Sequence, residues 1–292
     1  MKGSGFDARV LAALVVTTVL WASAFAGIRT GLEAYGPGQV ALFRFLVASA
    51  VLAGYATLTR MRLPERRDLP AVFLAGLLAF AVYHVALNYG EVTVSAGSAS
   101  ILIATAPVFT ALLAVAFLGE RLRVVGWVGM GVSFLGSAMI SLGEGEALSL
   151  DARVAPILLA ALSTSLYFIL QKPYLEKYGA LAFTTYAIWA GTLLTLIYLP
   201  GLASQVRTAP TGTTLAMVYL GVFPTAVAYV TYAYAFSRMA ASRAASFLYV
   251  IPVMAYLIAW LWLGEVPILL SVIGGVVSLA GVLLVNFRSR RR

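Results

Sequence analysis

Cysteine is absent from all 292 residues, which excludes structural disulfides and thiol chemistry. Charge is scarce: Asp, Glu, Lys and Arg together make up 11% of the chain, where a soluble domain carries about 25%. Histidine occurs once, at His84. No acidic residue is placed deep in an apolar run, since Glu33, Glu91, Glu120 and Glu265 all fall at run ends. A membrane-embedded enzyme would need a nucleophile and base, or a cluster of metal ligands, within reach of one another. With one histidine and no cysteine that class is remote, and nothing in the chain calls for a metal or cofactor.

What is abundant is apolar: hydrophobic residues make up 62% of the chain. Charge-free runs recur at 10–28, 45–59, 92–119, 124–143, 154–171, 178–206, 208–237, 244–264 and 266–287, and 69–90 is interrupted only by His84. Crossing a bilayer takes about 20 apolar residues, and lipid offers no partner to an open strand edge. With the second run extended back through Arg44 to Pro37, the pattern predicts an all-α membrane protein of ten transmembrane helices. The first run has a basic start and Ala22-Ser23-Ala24, but continues past the length of a signal-peptide core, so it is expected to stay as a first helix.

Alternating the loops between sides puts 16 of the 20 basic residues on one face, among them Arg60, Arg66, Lys172, Arg238 and the tail from Arg288. By the positive-inside rule that face is cytoplasmic and holds both termini. The net charge of +9 therefore needs no nucleic acid. Topology and contact with the lipid bilayer account for it.

Leu118-Gly119-Glu120 recurs as Leu263-Gly264-Glu265, 145 residues later, and Pro107 recurs as Pro252. At that offset segments 89–140 and 234–285 align without a gap and share 14 of 52 positions. The chain divides into a first repeat, 1–145, and a second, 146–292. Five helices per repeat is odd, so the second must enter the membrane inverted. Such pairs place substrate between them near the midplane and alternate access by rocking. Small residues line the fifth and tenth helices (Gly126, Gly129, Ser133, Gly136; Gly274, Ser278, Gly281), where they permit close packing. Whether that packing lies within or between subunits stays open, and with it the oligomeric state.

Through Trp21-Ala22-Ser23-Ala24-Phe25, Arg44, Tyr89, Ser95-Ala96-Gly97, Pro107, Leu118-Gly119-Glu120-Arg121 and the second-half Pro252 and Leu263-Gly264-Glu265, the chain resembles EamA-type members of the drug/metabolite transporter superfamily. Within them it resembles YddG-type bacterial exporters of aromatic amino acids. The resemblance implies a basket of helices one to four and six to nine around a cavity, with helices five and ten to the side. It also implies a bacterial inner membrane and export of small molecules such as amino acids and aromatic metabolites. Small multidrug exporters of that superfamily use a membrane-embedded carboxylate for proton exchange. The absence of one here favours a facilitative exporter over a proton-coupled drug exporter; the alternative is an exporter of another small metabolite or amphiphilic drug, with proton coupling through His84 left open.

Polar groups within spans are costly and demand a reason. His84 and Asn88 lie one turn apart on one face, flanked by Tyr83 and Tyr89. They either line a cavity or tie helices together. Arg44 either attracts a carboxylate or snorkels to the outer interface. Trp21, Tyr167, Trp189, Tyr229, Tyr232, Tyr234 and Tyr249 could line an apolar pocket for a planar amphipathic ligand, or sit in interfacial belts. Tyr229 is the repeat mate of His84, and positions that break the repeat are where asymmetric chemistry belongs. Pro107 and Pro252 interrupt equivalent helices and are expected to serve gating.

Overall fold

A computed structural model describes residues 7–93, 99, 102–143, 154–263 and 268–287. Among them the regular structure is entirely helical. The principal helices are α1 (Ala8–Leu32), α2 (Pro37–Thr59), α3 (Arg66–Val92), α4 (Ala106–Leu118), α5 (Val124–Gly143), α6 (Ala155–Tyr178), α7 (Ala180–Thr195), α8 (Thr211–Ser237), α9 (Val250–Leu263) and α10 (Leu269–Phe287). Among the described residues, seven helical stretches are long and apolar enough to cross a membrane, and Ala106–Leu118, Val124–Ile140 and Ala241–Ala255 are shorter apolar helices.

Local chemistry sets the ends. Asp7 caps α1 by accepting from the Arg9 amide at 3.0 Å. Pro37 opens α2, where its missing N–H costs nothing. Gly119, at φ 65°, ends α4 in the left-handed conformation that favours glycine, and the Glu120 amide then bonds back to the Ala114 carbonyl at 3.2 Å. That turn accounts for the glycine in the motif's first copy. Its second copy, Gly264-Glu265, lies outside the described residues.

Run 178–206 is not one straight span. Helix α6 ends at Tyr178, Gly179 turns the chain at φ 80°, and α7 closes in a 3-10 turn over Leu196–Tyr198. Run 92–119 is broken by a turn at Ala104-Thr105, and Pro107 lies in the first turn of the helix that follows. At the equivalent place in the second half, a short helix Ala241–Ser246 and a 3-10 turn Phe247–Tyr249 precede α9, with Pro252 near its start. Both prolines thus mark the restart of a broken helix.

Two features repeat that periodicity did not reveal. Helix α3 contains a π-helical segment, Leu77–Val82, and α8 contains Gly221–Val227. At the repeat offset these are the same place.

Helix α5 packs along α10 in antiparallel fashion. A Cβ on Gly129 would meet the Gly281 carbonyl, one on Gly136 would meet the Ser278 amide, and one on Gly274 would meet the Gly136 carbonyl. Ser133 Oγ donates to the Ser278 carbonyl at 3.0 Å, and Ser271 Oγ to that of Ile140 at 3.1 Å. The glycine-rich stripes therefore meet within one chain. Repeat mates face each other across the contact, and the two equivalent helices run in opposite directions.

On the basic end, Lys177 at the foot of α6 binds Asp68 at 2.5 Å and Glu65 at 3.0 Å, joining α6 to the start of α3. Its ammonium holds the Glu65 carboxyl below the usual carboxylate range.

Candidate functional site

The π segments free backbone carbonyls that an unbroken α-helix would satisfy, and side chains take them. The Thr225 hydroxyl donates to the Leu220 carbonyl at 2.8 Å, five residues back. His84 Nδ1 lies 3.0 Å from the Ala79 carbonyl, again five residues back. A carbonyl only accepts, so Nδ1 carries the proton and a neutral ring keeps Nε2 as an acceptor.

Just beyond the two π segments lies a cavity. Its polar wall is Arg44, Tyr83, His84, Thr164 and Tyr229, and its apolar wall includes Trp21, Phe25, Phe168, Ile251 and Pro252. Arg44 does not snorkel. It is 2% exposed, and Nε donates to the Thr225 hydroxyl at 2.8 Å. Among the described residues no carboxylate lies within ion-pair distance of it. A guanidinium presents five donors, and one protein bond leaves the planar fork available for an anion.

Aromatic rings surround the polar group. Trp21 packs on Tyr229 at 5.1 Å and donates from Nε1 to the Pro224 carbonyl at 3.0 Å. The His84 ring lies 4.7 Å from Tyr83, 4.9 Å from Phe45 and 5.9 Å from its own repeat mate, Tyr229. The repeat breaks its match where its two halves meet in the cavity wall.

Other candidates lie elsewhere. Asn88 is buried away from the cavity and donates to the Pro37 carbonyl at 2.9 Å, tying α3 to the start of α2. Tyr89 is 49% exposed on the outer surface. Tyr167 is buried behind the wall, with its ring 6.5 Å from Tyr229. Tyr232 lies beneath Trp21 at 5.1 Å. Tyr234 holds the Arg238 guanidinium 4.2 Å above its ring. Tyr249 is buried towards α10, its carbonyl accepting from Ser278 Oγ at 3.0 Å. Trp189 reaches the Ser49 carbonyl from α7 at 3.4 Å. Pro107 is buried without lining the cavity, whereas Pro252 lines it.

Sequence reading missed Thr225 and Phe168. Thr225 had a signal in the adjacent Pro224, a proline inside a span. Phe168 had none. Glu91, read as a helix-end residue, has both carboxylate oxygens buried without a hydrogen-bond partner. Lys172, assigned to a loop, lies inside α6 and binds the carbonyls of Phe236 and Met239, each at 2.5 Å.

Among the described residues, apolar helices surround a cavity that holds the buried Arg44, an arrangement that fits a membrane transporter. The EamA-like transporter family pattern matches the chain twice, over residues 9–142 and 154–287. The "uncharacterized transporter YdfC" of Bacillus subtilis (strain 168) is 49% identical over 90% of this chain and 86% of its own length. A "probable terminal-alkyne amino-acid exporter" of Streptantibioticus cattleyicolor is 43% identical over 96% and 95%. The "uncharacterized inner membrane transporter YedA" of Escherichia coli (strain K12) is 29% identical over 84% and 80%. One solved crystal structure superposes with a TM-score of 0.78 at 17% identity, covering 98% of this chain and 99% of that one, which shows a shared fold alone. The chain belongs to the EamA-like transporter family, whose members are membrane transporters and not enzymes.

Proposed function

We propose that this transporter exports amino acids, aromatic and other large neutral ones, by facilitative alternating access across the bacterial inner membrane, with both termini cytoplasmic. The observation that carries the reading is Arg44, buried in an aromatic cavity with Thr225 as its hydrogen-bonding partner and no carboxylate in ion-pair reach. The buried Glu91 carboxylate interacts with Arg44 electrostatically but makes no ion-pair contact with it, so the guanidinium fork stays open to an anionic ligand group. A carboxylate fits that fork, and the rings of Trp21, Tyr83 and Tyr229 suit a planar or apolar side chain beside it. The relative named as an amino-acid exporter supports the same cargo class. Alternation follows from inverted repeats 1–145 and 146–292, which the antiparallel pairing of α5 with α10 supports.

Counterflow in proteoliposomes against an amino-acid panel tests this. Phenylalanine, tyrosine and leucine are expected to compete. Competition only by sugars or organic cations would overturn the cargo assignment.

A further inference from the structure

The first copy of the Leu-Gly-Glu motif lies away from the cavity. Glu120 reaches out of the first half and docks on the second. Its Oε1 accepts from the Ala241 amide at 2.5 Å, and its Oε2 accepts from the Ser242 amide at 3.1 Å and the Ser242 hydroxyl at 2.7 Å. Backbone amides at the start of a helical turn have no partner within it, so the carboxylate supplies what the chain lacks. Lys172 holds the other side of the same corner. Its ammonium takes the Phe236 and Met239 carbonyls at the end of α8, 4.9 Å from the Phe236 ring, and it interacts electrostatically with Glu120.

This corner stands beneath the cavity. Successive turns of α8 lead from Tyr229 in the wall to Tyr232 and Phe236, both buried, and then to the corner. Phe168 packs on Tyr232 at 4.9 Å and on Phe236 at 5.7 Å, and Trp21 closes over Tyr232 at 5.1 Å. The aromatic layer thus fills the route from cavity to corner, and Glu120 is the polar contact that bridges α4 to the second half below it.

We propose that Glu120 is the latch of a gate, holding this end of the transporter shut through Ala241 and Ser242 while the aromatic layer seals the route. The inference rests on the alternating-access reading. Opening this end must break all three hydrogen bonds, so removing the carboxylate shifts the population towards the state open at this end.

The absence of cysteine makes the test direct. Two single reporters are introduced: Ala233→Cys, buried beneath the cavity floor, and Phe25→Cys, in the cavity wall. Maleimide labelling of purified protein is then compared with and without Glu120→Ala. Loss of three hydrogen bonds to a charged group is expected to speed labelling at Ala233→Cys by at least about tenfold and to leave labelling at Phe25→Cys, within the cavity in either state, changed by less than about twofold. Glu120→Gln and Ser242→Ala, which each keep part of the contact, are expected to give smaller increases at Ala233→Cys. They carry the test should Glu120→Ala fail to fold. Faster labelling at both reporters would mean general loosening and would overturn the latch, as would no change at either. Neither reporter needs the cargo to be known, so failure of amino-acid counterflow would sink the cargo assignment and leave the labelling result standing.

Discussion

Arg44 is the residue on which recognition turns. Its charge sits within a span, and its bond to Thr225 is the tie between α2 and the π segment of α8. Hydrogen bonds to charged groups contribute about 1.5–3 kcal/mol, so Arg44→Ala is expected to weaken competition by phenylalanine about 10- to 100-fold in counterflow. Its decarboxylated amine should be affected far less by the substitution. Equal losses for both would remove the carboxylate from the argument. Thr225→Val strips the acceptor from Arg44 and the donor from the Leu220 carbonyl in one change. It is expected to lower stability by about 1–3 kcal/mol, read as a fall in melting temperature in detergent. Arg44 was singled out from sequence because charge inside a span is costly. Its direction was undecided there, because snorkelling and cavity lining begin from the same helix position.

At the scale of elements, the α5 and α10 stripe shows how small residues set an interface in lipid. A Cβ at Gly136 would lie 2.3 Å from the Ser278 amide, a backbone atom that cannot swing aside. Gly136→Val is therefore expected to cost about 1–3 kcal/mol by forcing the helices apart, seen as a lower melting temperature. Gly131 has nothing within 4 Å of an added Cβ, so Gly131→Ala should be neutral or slightly stabilising. The glycine spacing was legible in the sequence, and so was the equivalence of the two stripes. Their mutual contact was not, because a stripe names a surface and not its partner. The π segments at Leu77–Val82 and Gly221–Val227 left still less trace. One wide turn barely disturbs a hydrophobic period, yet it turns Ala79 and Leu220 into acceptors for His84 and Thr225.

At the scale of the whole molecule, the facilitative reading predicts that amino-acid flux in vesicles responds little to an imposed pH gradient. Gradient-driven accumulation lost in His84→Ala would replace it with proton coupling at that ring. Accumulation lost instead in Glu91→Gln would place the proton on that buried carboxylate. Reporter fusions offer a separate check on topology: both termini should score as cytoplasmic, and one terminus on each side would break the inverted-repeat scheme.

Composition, run length and the 145-residue register were enough to establish a helical membrane protein built twice from one pattern. Those properties are carried by the chain in linear order: hydropathy and period are local quantities. Which polar residues share the cavity was decided only by packing. His84 and Asn88 occupy one helix face, yet one lines the cavity and the other ties off a neighbouring helix. Tyr229 and Tyr234 lie in one helix, yet one meets its repeat mate and the other stacks under Arg238. Glu120, which the sequence places at a run end, holds the two halves together at Ala241 and Ser242. The contacts of His84 with Tyr229 and of Glu120 with Ser242 join residues more than a hundred positions apart, and a linear period contains no term for the distance between them.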